Sequence, residues 1–548
     1  MALICSRTLD IINFITREIV TEREIVTDRQ CSKFLRGRNL LLALCCVGGV
    51  CAFPPSHAAG SDDVYAGWHK QYNDSLKGAN VVGLNQYIFS RHLKSRKPVV
   101  VGVIDSGIDT SCVSVTKALW TNPKEKPNGR DDDRNGYVDD LHGWNFLGTR
   151  DGSFNMVSAG TEEYREFKRL YPKYKHVRDT SGVAPADRAE YVYYTVMRRK
   201  AKINSYLMFY QISVQKQQSL ASVDSIIKAM PVVAADTLTL RGLIALPVSD
   251  SRWNTLLQAM TTDLYRTPLT TKWTDYLSRQ RADHQLMERR IWGIEHDKDK
   301  RLLMGDDMNN AADRHYGNNT LTVDGCDHGT FVASVIAGQP ADMRYAGIFP
   351  EARIMVVRVS PNGDEYDKDV ASGIYYAVDN GARVINLSLG KYTSPQARMV
   401  NDAIAYAARH DVLIVAAAGN NALNIDSTAY FPSAVDSLGN PFPNYIRVGA
   451  STPAGTRSSL SNYGLHKVDI YAPGELVAGV FPGDELSLQQ GTSVAAPVVT
   501  AIAAMMRAYY PKAKAAQIKE ALVATARRLN GIALVDAEAA FRQLAGRR

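Results

Sequence analysis

Cysteine is scarce where a scaffold would need it. Five of the seven (Cys5, Cys31, Cys45, Cys46 and Cys51) precede residue 60, leaving only Cys112 and Cys326 in the body of this 548-residue chain. A disulfide framework is thereby excluded, and the two body cysteines read as unpaired thiols, with a single bridge between them as the alternative. No segment beyond the N-terminal region is apolar for the length a bilayer crossing needs, so the mature chain is expected to be soluble. Lys/Arg-rich blocks and zinc-ligand spacings are missing as well. A net charge of +8, spread over 64 basic and 56 acidic residues, describes a mixed solvated surface and gives nucleic acid no footing. Internal repeats and low-complexity tracts are absent. What remains is ordinary globular composition, 45% hydrophobic and 22% charged, long enough for two or three domains or one large domain with an insertion.

The first 58 residues read as an N-terminal extension and export signal. Arg29, Lys33, Arg36 and Arg38 flank the apolar run Leu40–Val50, too short to span a bilayer and suited to a signal-peptide core. Cleavage is expected after Ala52 or Ala58, with a lipid anchor on Cys51 as the alternative. Either route makes the protein exported, whether secreted, periplasmic or held at the cell surface.

From about residue 96, short β-branched runs alternate with helical stretches. Val99–Ile104, Ile354–Val359, Val384–Leu387 and Val412–Ala418 read as strands buried on both faces. Val370–Asn380 and Gln396–Arg409 read as helices between them. The expected fold class is α/β, with a mainly parallel central sheet covered on both sides. Residues 151–312 break the rhythm with helical periodicity: Ile203, Leu207, Tyr210 and Val214; Val223, Ile226, Ile227 and Met230; Trp253, Leu256, Leu257, Met260 and Leu264. They read as a mostly helical insertion between two parts of one α/β domain, 59–150 and 313–548.

Three segments carry chemistry. Val103–Asp109 (VIDSGID) puts a carboxylate, Asp105, at a strand end, and Asp327–Ala333 (DHGTFVA) puts His328 at the start of a helix that Gly338 terminates. Gly491–Pro497 (GTSVAAP) puts Ser493 at the N-terminus of a further helix. A serine hydroxyl is a poor nucleophile until a base takes its proton, a task for His328. The imidazole must keep one tautomer and tolerate a positive charge, which suits a buried Asp105. At a helix start, Ser493 has the positive end of the dipole and a free N–H for a developing oxyanion. Asn420, at the end of another strand, offers a second donor. Singly, each motif is a common turn or cap; their order and setting together make a catalytic triad.

On these motifs, with Ala417–Asn420 (AAGN), the sequence resembles the subtilase family. Ile385–Gly390, Val448–Ala450, Ser461–Gly464 and Ala472–Gly474 add matching segments. The resemblance covers roughly 64–150 and 313–548 and implies a subtilisin-like three-layer fold, serine endopeptidase activity, peptide or protein substrates and no catalytic cofactor. It also implies that Ser388, Leu389 and Gly390 present an edge to the substrate backbone. Ala417, Ala418 and Gly419 would wall the S1 pocket, with Tyr430 near its floor favouring small P1 residues. Departures are the long stretch between Asp105 and His328, Phe331 in place of a second histidine, and little chain for a folding propeptide. A lipase or esterase is disfavoured because no Gly-x-Ser-x-Gly elbow surrounds Ser493. A binding scaffold that has lost catalysis is disfavoured by the intact set of motifs.

The acidic stretch 131–140 (DDDRNGYVDD) follows a calcium loop over its first nine positions, with Asp131, Asp133, Asn135 and Asp139 as ligands and Gly136 at the turn. Position twelve is His142 rather than Glu, which excludes a full EF-hand. The stretch reads either as a structural calcium loop or as an acidic turn without an ion.

Overall fold

The computed structural model describes residues 65–546, apart from 231–236, 251, 259 and 261–266. The expected export signal, Cys51 and Leu264 lie outside the described residues. The chain divides into two compact units, one of residues 163–299 and the other of 65–162 and 300–546.

The larger unit is built on a nine-stranded sheet. In chain order the strands are β1 (Val100–Asp105), β2 (Gly143–Asn145), β3 (Ser158–Gly160), β4 (Arg353–Arg358), β5 (Asn362–Gly363), β6 (Val384–Leu387) and β7 (Leu413–Ala417). They are followed by β8 (Tyr445–Ser451), β9 (Ile470–Pro473), β10 (Val477–Phe481), β11 (Glu485–Gln489), β12 (Arg527–Leu529) and β13 (Ile532–Leu534). The sheet runs β12-β13-β9-β8-β7-β6-β1-β4-β2, while β10 with β11 and β3 with β5 form separate pairs. Every pairing in the large sheet is parallel except β12 with β13. Register puts Ile104 beside Val357 on one side and Leu387 on the other.

The continuous apolar runs are explained by burial of both faces. Val101, Val103, Ile354, Val356, Leu413 and Val415 join one core with the helices Asp327–Ala337 and Thr492–Tyr509. Their alternating neighbours Ile104, Met355, Val357, Ile385, Ile414 and Ala416 join a second core with the helices Asp367–Asp379 and Ala397–Arg409. Successive residues of a strand point to opposite faces, so a sheet with helices on both sides needs apolar side chains at every position. The result is the three-layer, mainly parallel α/β architecture expected. Among the described residues, Thr492–Tyr509 is the one helix long and apolar enough to cross a membrane, and it is the buried central helix of this unit.

Cys112 and Cys326 are free and buried. Burial, reinforced by a hydrogen bond to Asp484, pushes the Cys112 thiol up to about 11. Burial raises the Cys326 thiol too, so both stay as weakly reactive thiols at neutral pH.

The smaller unit is helical. Two of the apolar stripes seen in the sequence lie on a single helix, Ile203–Lys228. Its first half (Ile203, Leu207, Tyr210) packs with Phe167, Tyr171, Tyr194 and Ile294, and its second half (Leu220, Val223, Ile227) with Leu240, Trp253, Trp273 and Tyr276.

Candidate active site

Because β6 and β4 flank β1 on opposite sides, the chain reverses its direction of travel across the sheet at β1. In open parallel sheets this is where ligand sites form, at the carboxyl ends of the strands. Three segments reach that edge: Asp105 ends β1, Ser388–Gly390 follow β6, and Gly419 with Asn420 follow β7.

His328 comes to Asp105 from the second position of its helix, Asp327–Ala337. The approach is close enough to need a glycine next door. A methyl group on Gly329 would sit 2.1 Å from the Gly107 carbonyl oxygen and 3.3 Å from Asp105 Oδ1. His328 Nδ1 lies 2.7 Å from Asp105 Oδ1, which also accepts the Ser106 N–H at 2.7 Å. A carboxylate acceptor requires the proton on Nδ1, leaving the Nε2 lone pair as the base. The carboxylate is buried, whereas the imidazole keeps 27% of its side chain exposed. Burial pulls the imidazole pKa down, but the Asp105 charge and hydrogen bond outweigh it and leave the group above its ordinary value.

Ser493 is the second residue of Thr492–Tyr509, where a helix N–H has no acceptor within the helix. Its side chain and that of Asn420 converge over Gly491. A methyl group there would lie 3.1 Å from Ser493 Oγ and 3.3 Å from Asn420 Nδ2. Gly491 has φ of 143°, so both its backbone and the space above it demand glycine. Asn420 is oriented by Thr492, whose N–H and hydroxyl both donate to its Oδ1, at 2.8 and 2.9 Å. With the oxygen so occupied, the Nδ2 donor points toward the Ser493 side. The Thr492 hydroxyl also accepts the Gly419 N–H at 2.9 Å.

Ser388 plays a role its motif did not suggest. Its hydroxyl donates to the Ser493 carbonyl at 2.7 Å and accepts from Asn386 Nδ2 at 2.8 Å, while Asn386 Oδ1 accepts from Thr500. This buried chain ties β6 to the Ser493 helix. Thr492, Asn386 and Thr500 went unassigned in the sequence; for Asn386 and Thr500 the signal was a polar residue inside an otherwise apolar buried run. Leu389, Ala417 and Ala418 are buried. The Tyr430 ring fills the space between the Gly390 and Gly419 backbones: methyl groups there would lie 2.4 Å from its hydroxyl and 2.8 Å from its ring. Tyr392, edge-on at 5.2 Å, and the Arg447 guanidinium, also at 5.2 Å, hold that ring.

Of the four residues expected to ligate calcium, the structure brings Asp131 and Asp133 together and adds Glu125. Asn135 turns its Nδ2 to Asp140 and its Oδ1 to the Tyr137 N–H. Asp139 accepts the N–H groups of Asn128 and Gly129 in a neighbouring turn.

A doubly covered parallel sheet with an Asp–His pair at its carboxyl edge, and a serine at an adjacent helix start, is the scaffold of a serine-type peptidase. Residues 96–541 match the model of the subtilase family, peptidase S8, and the chain belongs to that family. It is similar to M-protease of Shouchella clausii, at 36% identity over 229 residues that cover 40% of this chain and 56% of that one. The match to Subtilisin Savinase of Lederbergia lenta is also 36% over 229 residues, covering 40% and 80%. This chain therefore spans little more than half of the first relative and most of the second. Among solved structures, that of the prenylagaramide maturation protease PagA is 29% identical over 40% of this chain and 83% of that one, with a TM-score of 0.36.

Proposed function

We propose that the protein is an exported serine endopeptidase that hydrolyses peptide bonds through Asp105, His328 and Ser493. The 2.7 Å contact between Asp105 and His328 carries this reading, because it leaves Nε2 of the imidazole as the lone-pair base. His328 takes the proton from Ser493 Oγ as that oxygen attacks the substrate carbonyl, and returns it to the leaving amine. The Asn420 side-chain amide and the Ser493 N–H hold the oxyanion, each such donor contributing about 3–4 kcal/mol to the transition state. Water then hydrolyses the acyl-enzyme with His328 as base again.

Substrate backbone pairs along Ser388–Gly390, an edge that gives affinity without sequence preference. Specificity falls to the pocket walled by Ala417, Ala418 and Gly419, which the Tyr430 ring makes shallow and suited to a small P1 side chain. Export rests on the basic flank and the Leu40–Val50 run.

The test compares peptide amide and long-chain fatty ester substrates, using the wild type and Ser493→Ala. Peptide hydrolysis by the wild type alone supports the reading. Fatty ester hydrolysis without peptide hydrolysis makes the protein an esterase, and turnover retained in Ser493→Ala removes the serine mechanism.

A further inference from the structure

Arg358 is a buried charge to which the proposed chemistry gives no part. It ends β4, is only 1% exposed, and is the register partner of Asp105 at the end of β1. Register partners on parallel strands point to the same face, so the two side chains leave the sheet side by side. Burial pulls the guanidinium down to about 10, which leaves it charged at neutral pH. Among the described residues it pairs with no carboxylate. The titratable groups that act on it are Cys326, a neutral thiol, and Asp369, already bound to Arg301 at 2.7 Å.

Its donors go instead to three neutral oxygens: Nε to the Ser106 carbonyl at 3.1 Å, Nη1 to Asn145 Oδ1 at 2.9 Å and Nη2 to the Met156 carbonyl at 2.5 Å. A charge taken out of water without an anion is costly, and the rigid fork offsets that cost only while its acceptors keep their places. The stem is constrained as well. Gly107 has φ of 100°, and a methyl group on it would lie 3.1 Å from Arg358 Cδ. Arg358 therefore holds the turn Asp105–Gly107 at two points, the Ser106 carbonyl and the Gly107 backbone. That turn aims the catalytic carboxylate. Asp105 Oδ1 accepts the Ser106 N–H and the His328 Nδ1–H, each at 2.7 Å, whereas Oδ2 is buried with no hydrogen-bond partner. Apart from His328 itself, the Ser106 amide is the one group among the described residues that orients the carboxylate.

We propose that Arg358 is a positioning residue for catalysis. By holding the Ser106 carbonyl and the Gly107 backbone, it keeps the Ser106 N–H on Asp105, and so keeps Asp105 on His328. It touches neither substrate nor the reacting atoms. The inference rests on the reading of Asp105, His328 and Ser493 as the triad.

The experiment measures peptide hydrolysis against pH for the full chain and for Arg358→Met, Arg358→Lys and Asn318→Ala, and follows the thermal unfolding of each. Arg358→Met keeps the stem and loses the fork. Its kcat falls by about ten- to a hundredfold, the cost of a misplaced catalytic group, while KM changes by less than about twofold. Its acidic limb moves to lower pH, because His328 loses a firmly held Asp105. Loss of a positive charge with Asp105 unmoved would shift the limb to higher pH instead. Arg358→Lys keeps the charge without the fork and falls between the wild type and Arg358→Met in both readouts. Asn318→Ala breaks the 3.2 Å bond from Asn145 without touching Arg358, so it melts lower and keeps the wild-type limb. A limb that stays or rises in Arg358→Met overturns the proposal, as does an equal shift in Asn318→Ala. Should Arg358→Met fail to fold, Arg358→Lys decides: a limb at lower pH supports the proposal and an unmoved limb overturns it. Turnover that persists in Ser493→Ala removes the triad and this inference with it, whereas turnover lost in Ser493→Ala beside an unmoved limb in Arg358→Met overturns this inference alone.

Discussion

Thr492 donates both its backbone N–H and its hydroxyl to Asn420 Oδ1. The residue just before the serine therefore fixes which end of the amide is left to donate on the Ser493 side. Two substitutions separate holding the oxyanion from aiming the donor. Asn420→Leu lowers kcat by about 10²–10³ with little change in KM, because the lost hydrogen bond is made in the transition state. Thr492→Val keeps the N–H but loses the hydroxyl, with its bonds to Asn420 Oδ1 and from the Gly419 N–H, and lowers kcat by about tenfold, less than loss of the Asn420 donor itself. Steady-state kinetics on one peptide substrate checks both. An equal loss in the two variants contradicts separate roles.

The raised pKa of His328 has a defined sign. Catalysis needs the neutral imidazole, so the acidic limb of kcat/KM lies above 6.5, the ordinary value for histidine. Folding favours the charged form. Its contribution to stability is therefore complete below the unfolded-state pKa and is lost as pH rises through the folded-state value. Asp105→Asn removes the charge that holds the pKa up, moves the acidic limb to lower pH and lowers kcat by about 10⁴. A pH–rate profile of both proteins measures this; an unmoved limb in Asp105→Asn means that another group controls the titration.

The Tyr430 ring lies between the Gly390 and Gly419 backbones, and on the proposed function it limits the depth of the P1 pocket. The wild type cleaves after Ala in preference to Phe, and Tyr430→Ala raises the Phe-to-Ala ratio of kcat/KM. Removing a buried aromatic side chain costs about 3–5 kcal/mol, so the variant also melts lower. Paired Ala and Phe P1 substrates decide the matter, and comparable cleavage of the two by the wild type contradicts it.

Much of this was legible locally. The runs around Val101, Val356, Ile385 and Val415 are apolar at every position because both sheet faces are covered, and a run of that kind bounded by turns reads as a buried strand. The motifs around Asp105, His328, Asn420 and Ser493 were visible because turn and cap chemistry confines them to a few residues. What escaped depends on distance along the chain or on mixed composition. Glu125 lies six positions before Asp131, outside any loop template, and only the fold turns its carboxylate inward. The 24-residue helix Trp273–His296 was missed because its buried positions cluster at Trp273, Tyr276 and Leu277 and again at Ile291 and Ile294, with a polar stretch between. Ile203–Lys228 read as two stripes for a related reason, since its two halves serve different cores. The link from Thr500 through Asn386 and Ser388 to Ser493 joins four residues that no short window contains.

The most direct measurement is labelling of the purified mature protein with a fluorophosphonate probe, alongside Ser493→Ala and His328→Ala. The probe reacts with a serine only when a base activates it and an oxyanion site receives the product charge. The account predicts stoichiometric labelling of the wild type on Ser493 and none of either variant. Labelling of Ser493→Ala, or a folded wild type that stays unlabelled, would contradict it.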